Sequence, residues 1–201
     1  MSLTERRLSW DWYEGEIPDN AKIDPTAYVE TTYSFRFFRS RLPAGVEYGV
    51  GASTYLGTMF DVGPDGRVKL GNYALVHGAR IICDSEIVIG DHALISWNVV
   101  LMDTYRLPVN AADRRPEVKR VPASEFRIAA ADVPAQPIHI KSNVWIGFES
   151  CLLPGVTIGE GSIVGARSVV TSDVPPFTIA AGNPARIVRS LTPEEMKMHA
   201  A

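Results

Sequence analysis

With 201 residues and 46% hydrophobic side chains, the chain suits one domain with a real core and is too apolar for global disorder. Twenty Lys and Arg stand against 23 Asp and Glu, and a net charge of −3 argues against nucleic acid or an anionic membrane as the main partner. Cys83 and Cys151 match no zinc or redox spacing and read as small buried hydrophobes, no stretch approaches the ~20 apolar residues that cross a bilayer, and no apolar signal core follows Met1, so a cytoplasmic protein is expected.

In chain order, residues 1–45 read as an N-terminal extension, with Ile23-Asp-Pro-Thr-Ala-Tyr as an opening repeat and Phe35-Arg-Phe-Phe-Arg as a covering segment. From residue 46 an aliphatic residue returns every six positions. The phase appears at Val50, Leu56 and Val62, resumes at Leu70, Val76 and Ile82, and again at Ile89, Ile95 and Leu101. A polar segment, 104–137, rich in Pro, Arg, Ala and Asp, interrupts it, and loops of that length inside a domain are usually functional or disordered. The period then returns unbroken at Ile140, Ile146, Leu152, Ile158, Val164 and Val170. Thr192-Pro-Glu-Glu-Met-Lys-Met, with an N-cap and a first-turn proline, predicts a short helix in a 191–201 tail.

Six is the wrong period for an α-helix and for plain strand alternation. It fits a short strand, a corner and another short strand, so that three sides make a coil of eighteen residues. Stacked coils pair their backbones in parallel and turn a ladder of Ile, Val and Leu into a triangular prism. Gly, Asn and Asp supply the corner conformations. The expectation is an all-β parallel β-helix over 46–190 with the insertion at 104–137.

Three stretches carry more than the bare repeat: Ile89-Gly-Asp-His-Ala-Leu-Ile-Ser-Trp-Asn-Val-Val-Leu-Met-Asp-Thr, Pro137-Ile-His-Ile-Lys-Ser-Asn-Val-Trp-Ile-Gly, and Leu153-Pro-Gly-Val-Thr-Ile-Gly through Ala181-Gly-Asn-Pro-Ala-Arg-Ile-Val-Arg. Over roughly residues 68–190 the chain resembles the hexapeptide-repeat acyltransferases, in particular the sugar and xenobiotic O-acetyltransferases of the galactoside and maltose type. The resemblance implies a left-handed β-helix, a hand that period alone does not give. It also implies a homotrimer whose grooves bind acetyl-CoA as co-substrate, without a metal. By motif match, Ala166 and Thr171 would line the cofactor path, and Arg186 and Arg189 would sit near the nucleotide end, where planar charged donors suit phosphate. Trp145 matches a tryptophan beside the acceptor.

One departure bears on the chemistry. The family's general base is a histidine in a run like Met-Asp-Thr-Asp-Phe-His-Pro, and Met102-Asp-Thr-Tyr-Arg-Leu-Pro puts Leu107 at that place. O-acetylation needs a base near neutral pKa. Two candidates remain: His77, which follows Val76 and should turn outward, and Asp103, close to the lost histidine. An amine acceptor, already nucleophilic, would need less help. His92 reads as a corner residue and His139 as a strand residue; His199 lies in the tail. The Arg114-Arg-Pro-Glu-Val-Lys-Arg run could meet a phosphate or nucleotide sugar, or simply face water. The leading expectation is an acetyltransferase acting on a sugar or similar small polar acceptor. The alternatives are an inactive trimeric scaffold, with Leu107 as the trace of lost chemistry, and a zinc hydratase of the γ-carbonic anhydrase type, which lacks the closely spaced histidines it would need.

Overall fold

The computed structural model describes residues 6–120 and 133–197. The opening coil supplies β1 (Ala21–Ile23) and β2 (Tyr28–Val29), then a 3-10 turn at Thr32–Phe35. Next come β3 (Val46–Tyr48), β4 (Ser53–Tyr55) and β5 (Met59–Val62); β6 (Arg67–Leu70), β7 (Leu75–His77) and β8 (Arg80–Cys83); and β9 (Glu86–Ile89), β10 (Leu94–Ile95) and β11 (Val100–Met102). Helix α1 (Ala111–Arg120) stands in the insertion. After it follow β12 (Ile138–Ile140), β13 (Trp145–Ile146) and β14 (Cys151–Leu152), then β15 (Thr157–Ile158), β16 (Ile163–Val164) and β17 (Val169–Val170), and a closing hairpin of β18 (Thr178–Gly182) and β19 (Ala185–Ser190).

Every third strand falls on the same side of a prism. Face A runs β1-β3-β6-β9-β12-β15, face B runs β2-β4-β7-β10-β13-β16-β18-β19, and face C runs β5-β8-β11-β14-β17. All pairings are parallel except β18 with β19, which are antiparallel and form the last edge of face B. The molecule is a parallel β-helix.

The six-residue unit explains the geometry. Ile140, Ile146, Leu152, Ile158, Val164 and Val170 are all essentially inaccessible, and a small residue two positions earlier, such as Ser150, Ser162 or Ser168, is buried beside the next. Each such aliphatic burial contributes about 1.5–3 kcal/mol. Three positions after an inward residue the backbone often turns left-handed: His92, Asn143 and Gly161 at the A–B corner, and Asn98, Glu149 and Arg167 at the B–C corner. At Gly161 the requirement is steric as well, since a Cβ there would stand 2.6 Å from the Phe177 ring.

In the first full coil the phase differs from the sequence reading. Val50 and Leu56 are exposed; the residues turned inward are Tyr48 and Thr54, whose hydroxyls lie 3.0 Å apart and satisfy each other inside the prism. A hydrogen-bonded polar pair thus replaces two aliphatics, and the visible aliphatics two positions on fall at the corner. In the following coil Ile81, not Ile82, is the fully buried residue. The strand ladder also begins before residue 46, because β1 pairs with β3 and β2 with β4. At the other end, residues 193–196 make a single turn with Met196 N–H donating to the Thr192 carbonyl, in place of the helix the sequence predicted. His199 lies outside the described residues. The Arg114–Arg120 run is not open loop but most of α1, whose first turn is held by Asn110 Oδ1 accepting from Ala112 N at 2.8 Å.

Candidate active site

The outward residues follow from strand alternation, and the three faces differ in character. Face A is polar, with Lys22, Glu47 and Lys69 side by side. On face B, Leu75, Leu94, Trp145 and Ile163 form a column ending at Ile179 and Arg189. Met59 on face C lies beside Arg80, and Val100, Cys151 and Val169 continue that column.

His77 ends β7, outward and half-buried, where face B turns into face C. It sits in a chain of rings along that corner. Tyr55 meets it edge-on at 5.9 Å and Trp97 at 6.3 Å; Trp97 stacks on Phe148 at 5.2 Å and 6°, and the Arg167 guanidinium lies 5.9 Å from the Phe148 ring. Trp97, Phe148 and Ala166 each stand two positions beyond an inward residue (Ile95, Ile146 and Val164), so they share one corner column. Gly147 lets the coils approach there, since a Cβ at this position would lie 2.5 Å from the Ala166 nitrogen. Trp145, half exposed on face B, donates its indole N–H to Ser96 Oγ at 3.1 Å. Arg186 and Arg189 lie on β19, exposed. Arg189 is engaged in a two-pronged pair with Glu195 at 2.7 and 2.8 Å, and the Arg189 hydrogen bond, then the Thr192 N–H, hold the Glu195 carboxyl down at about 2. His77, Trp145, Ala166, Arg186 and Arg189 therefore share face B and its C-side corner. Thr171 is exposed beyond β17, at the far end of face C.

Asp103 stands apart at the C–A corner, fully buried. Its carboxylate accepts from the backbone N–H groups of Asp84 and Ser85, both at 2.8 Å, and from the Cys83 thiol at 3.4 Å. Burial raises its pKa, and those donors only partly counter the rise. A carboxylate turned inward onto a closed turn cannot reach an acceptor. This corrects the expectation that Asp103 orients or replaces the missing base: it holds the turn before β9.

The same corner carries an ion network. Arg106 reaches Asp61 Oδ1 at 2.6 Å and the Asp61 carbonyl at 2.8 Å, and it pairs with both Asp84 oxygens at 2.9 Å. Arg39 and Arg80 also reach the Asp61 carboxylate, each at 3.2 Å. Burial alone would lower the Arg106 pKa, but its bonds to Asp84 and Asp61 more than offset that and raise it. Held in a left-handed conformation (φ 57°), Arg106 clamps the start of the insertion.

Beyond the clamp lies a cavity of about 420 Å³, in the size range of small-molecule sites. Tyr105, Leu107, Pro108, Val109, Pro134 and Pro154 give it largely apolar walls. The Tyr105 hydroxyl and the Asn110, Asp113 and Gln136 side chains supply its polar groups. Leu107, where the resemblance leads one to expect a histidine, is thus a wall residue. The ring column was discernible in principle, because its members stand one or two positions beyond inward residues. The clamp was not, since Arg106 and Asp61 are 45 positions apart. Among the described residues no group of three or more His, Cys, Asp or Glu is placed to hold a metal, and no helix is long and apolar enough to cross a membrane.

Comparison with known proteins agrees with this architecture. Residues 137–172 match the bacterial transferase hexapeptide (six repeats). A Staphylococcus aureus (strain COL) protein named as a candidate acetyltransferase is 60% identical over 57 residues, 28% of this chain and 29% of that protein. Galactoside O-acetyltransferase of Escherichia coli (strain K12) is 37% identical over 120 residues, 60% of this chain and 52% of that enzyme. The chain thus aligns with about a third to a half of these relatives' lengths. A crystal structure of a hexapeptide-repeat acetyltransferase from Vibrio cholerae O1 biovar eltor, complexed with acetyl coenzyme A, superposes with a TM-score of 0.56 at 26% identity, covering 79% of this chain and 74% of that one. A galactoside acetyltransferase in complex with coenzyme A gives 0.52 at 27% identity, covering 90% and 68%. The chain carries the hexapeptide repeat of the bacterial transferases, on the β-helix that the hexapeptide-repeat acetyltransferases share.

Proposed function

We propose that this protein is an acyl-CoA-dependent acetyltransferase that moves the acetyl group of acetyl-CoA to a hydroxyl or amine of a small acceptor, and that it works as a cytoplasmic homotrimer. The observation that carries the reading is His77: an outward imidazole at the B–C corner, in edge-on ring contact with Trp97, whose column holds Ala166, which the resemblance assigns to the cofactor path. The binding of acetyl coenzyme A by the Vibrio protein and of coenzyme A by the galactoside enzyme supports the cofactor.

The contrast between faces supports the assembly. Large apolar surface on a monomer marks an interface; the outward columns of faces B and C are mostly apolar, while face A opens with Lys22, Glu47 and Lys69. Face B of one chain against face C of the next is a heterologous contact, which closes into a ring of three when the rotation permits. Such a seam encloses the outward side chains of face B, Trp145 among them, against the next chain. His77 then takes the acceptor proton while the acceptor oxygen or nitrogen attacks the acetyl carbonyl; the C–S bond breaks, and the CoA sulfur leaves with the electron pair and receives the proton. Trp145 borders the acceptor, Ala166 and Thr171 the pantetheine arm, and Arg186 and Arg189 the phosphates.

The test is release of the CoA thiol from acetyl-CoA in the presence of acceptor. His77→Ala should lower turnover by about 10²–10⁴-fold, with light scattering still reporting three chains. An unchanged rate removes His77 from the chemistry. No thiol release with any sugar, alcohol or amine, from a protein that is still trimeric, leaves the scaffold reading.

A further inference from the structure

We infer that the cavity behind the insertion takes a small apolar primary amine, with Asp113 holding its ammonium. The inference rests on the function proposed above, since it names a class of acceptor for that reaction. Three observations converge on it. First, Leu107, Pro108, Val109, Pro134 and Pro154 offer no side-chain donor or acceptor. A hexose carries a hydroxyl on nearly every carbon, and polar groups buried without partners weaken binding. Second, the polar groups present are partly committed. Asn110 Oδ1 already accepts from Ala112 N, and the Tyr105 hydroxyl and the Gln136 side-chain amide carry no charge. The nearby Arg114 guanidinium is turned onto the Pro108 and Val109 carbonyls. Asp113, in the first turn of α1, is the one charged residue lining the cavity among the described residues. A lone carboxylate on an apolar wall complements a cation. Third, Leu107 cannot take a proton, and an amine that has lost its proton to water attacks without the further basic help a hydroxyl needs.

The reaction balances with acetyl-CoA as the only co-reactant. The ammonium gives one proton to water. The nitrogen lone pair forms the N–C bond to the acetyl carbon, and the C–S bond breaks with its electron pair going to sulfur. A second nitrogen proton passes through water to that sulfur, giving the amide and the CoA thiol.

The test uses the intact chain and three probes: 2-phenylethylamine, its alcohol 2-phenylethanol, and a methyl galactoside. Calorimetry without acetyl-CoA should show the amine binding up to about fivefold more tightly than the alcohol, the range of an exposed ion pair, with the galactoside weakest. Asp113→Asn should erase the difference between amine and alcohol. Leu107→Arg, which adds a cation to the wall, should expel the amine more than the alcohol. Equal binding of amine and alcohol, a preference that survives Asp113→Asn, or saturation by the galactoside alone would each overturn the inference. Mass spectrometry with acetyl-CoA then separates the two readings. The N-acetyl product supports both. A bound amine with no thiol release keeps the cavity assignment and sinks the acetyltransferase. Acetylated galactoside with untouched amine does the reverse.

Discussion

The coils on either side of the insertion obey one rule with different strictness. After it, Ile140 pairs with Ile158, Ile146 with Val164 and Leu152 with Val170, each eighteen positions on. Before it, the partners are further apart and uneven: Tyr48 with Leu70, Thr54 with Val76, and Phe60 with Ile81. The extra residues collect at the C–A corner, in the four-residue strands β5 and β8 and the turns that follow them. Those turns hold Asp61, Asp84 and Asp103, and through Arg106 they hold the start of the insertion. Regular coils here build a column; irregular ones build a place to attach a loop and a cavity.

That contrast can be broken from either side. The largest effect is expected from Arg106→Ala, which leaves the buried Asp61 carboxylate short of its nearest cation and should cost about 3–5 kcal/mol, read by denaturant unfolding. A loss below about 1 kcal/mol would show that the clamp is ornamental. In the regular coils Leu152→Ala should cost about 2–5 kcal/mol through an ordinary cavity. It should leave the insertion in place, as amide exchange of α1 can check. Asp103→Ala strips the Asp84 and Ser85 N–H groups of their acceptor and should cost about 1–3 kcal/mol. Turnover per folded molecule should stay unchanged, and a selective loss of kcat would return Asp103 to the chemistry.

The smallest effect belongs to the closing hairpin. Glu195 has its pKa depressed to about 2, so its contribution is present above the ordinary glutamate range and lost as pH falls through that range toward 2. The Arg189 contact should therefore persist at pH 4, where carbon NMR of the Glu195 carboxyl can follow it. Glu195→Gln should release Arg189 and tighten CoA binding by a few-fold at most, because the pair is exposed.

How far these features could be read in advance depended on their range. The strict coils were plain, because each inward aliphatic is six residues from the next and nothing polar competes with it. The phase at Val50 and Leu56 misled, because Tyr48 and Thr54 satisfy each other's hydroxyls inside the prism and period-counting sees only aliphatics. The outward turn of His77 followed by alternation from Val76. Asp103 was misplaced as a base because sequence neighbourhood to a lost histidine says nothing about which way a carboxylate turns. The cavity stayed hidden because its walls come from residues on both sides of the insertion and from Pro154, one coil further on.

By itself, the six-residue period determined the parallel coil, the inward ladder of the later coils and the corner positions, since each of these needs only neighbours within one unit. Which side chains meet across coils was decided by the folded molecule. Unequal coil lengths and a long insertion set the vertical register, and register alone brings Arg106 to Asp61, Trp97 to Phe148, and Leu107 into the wall of a cavity.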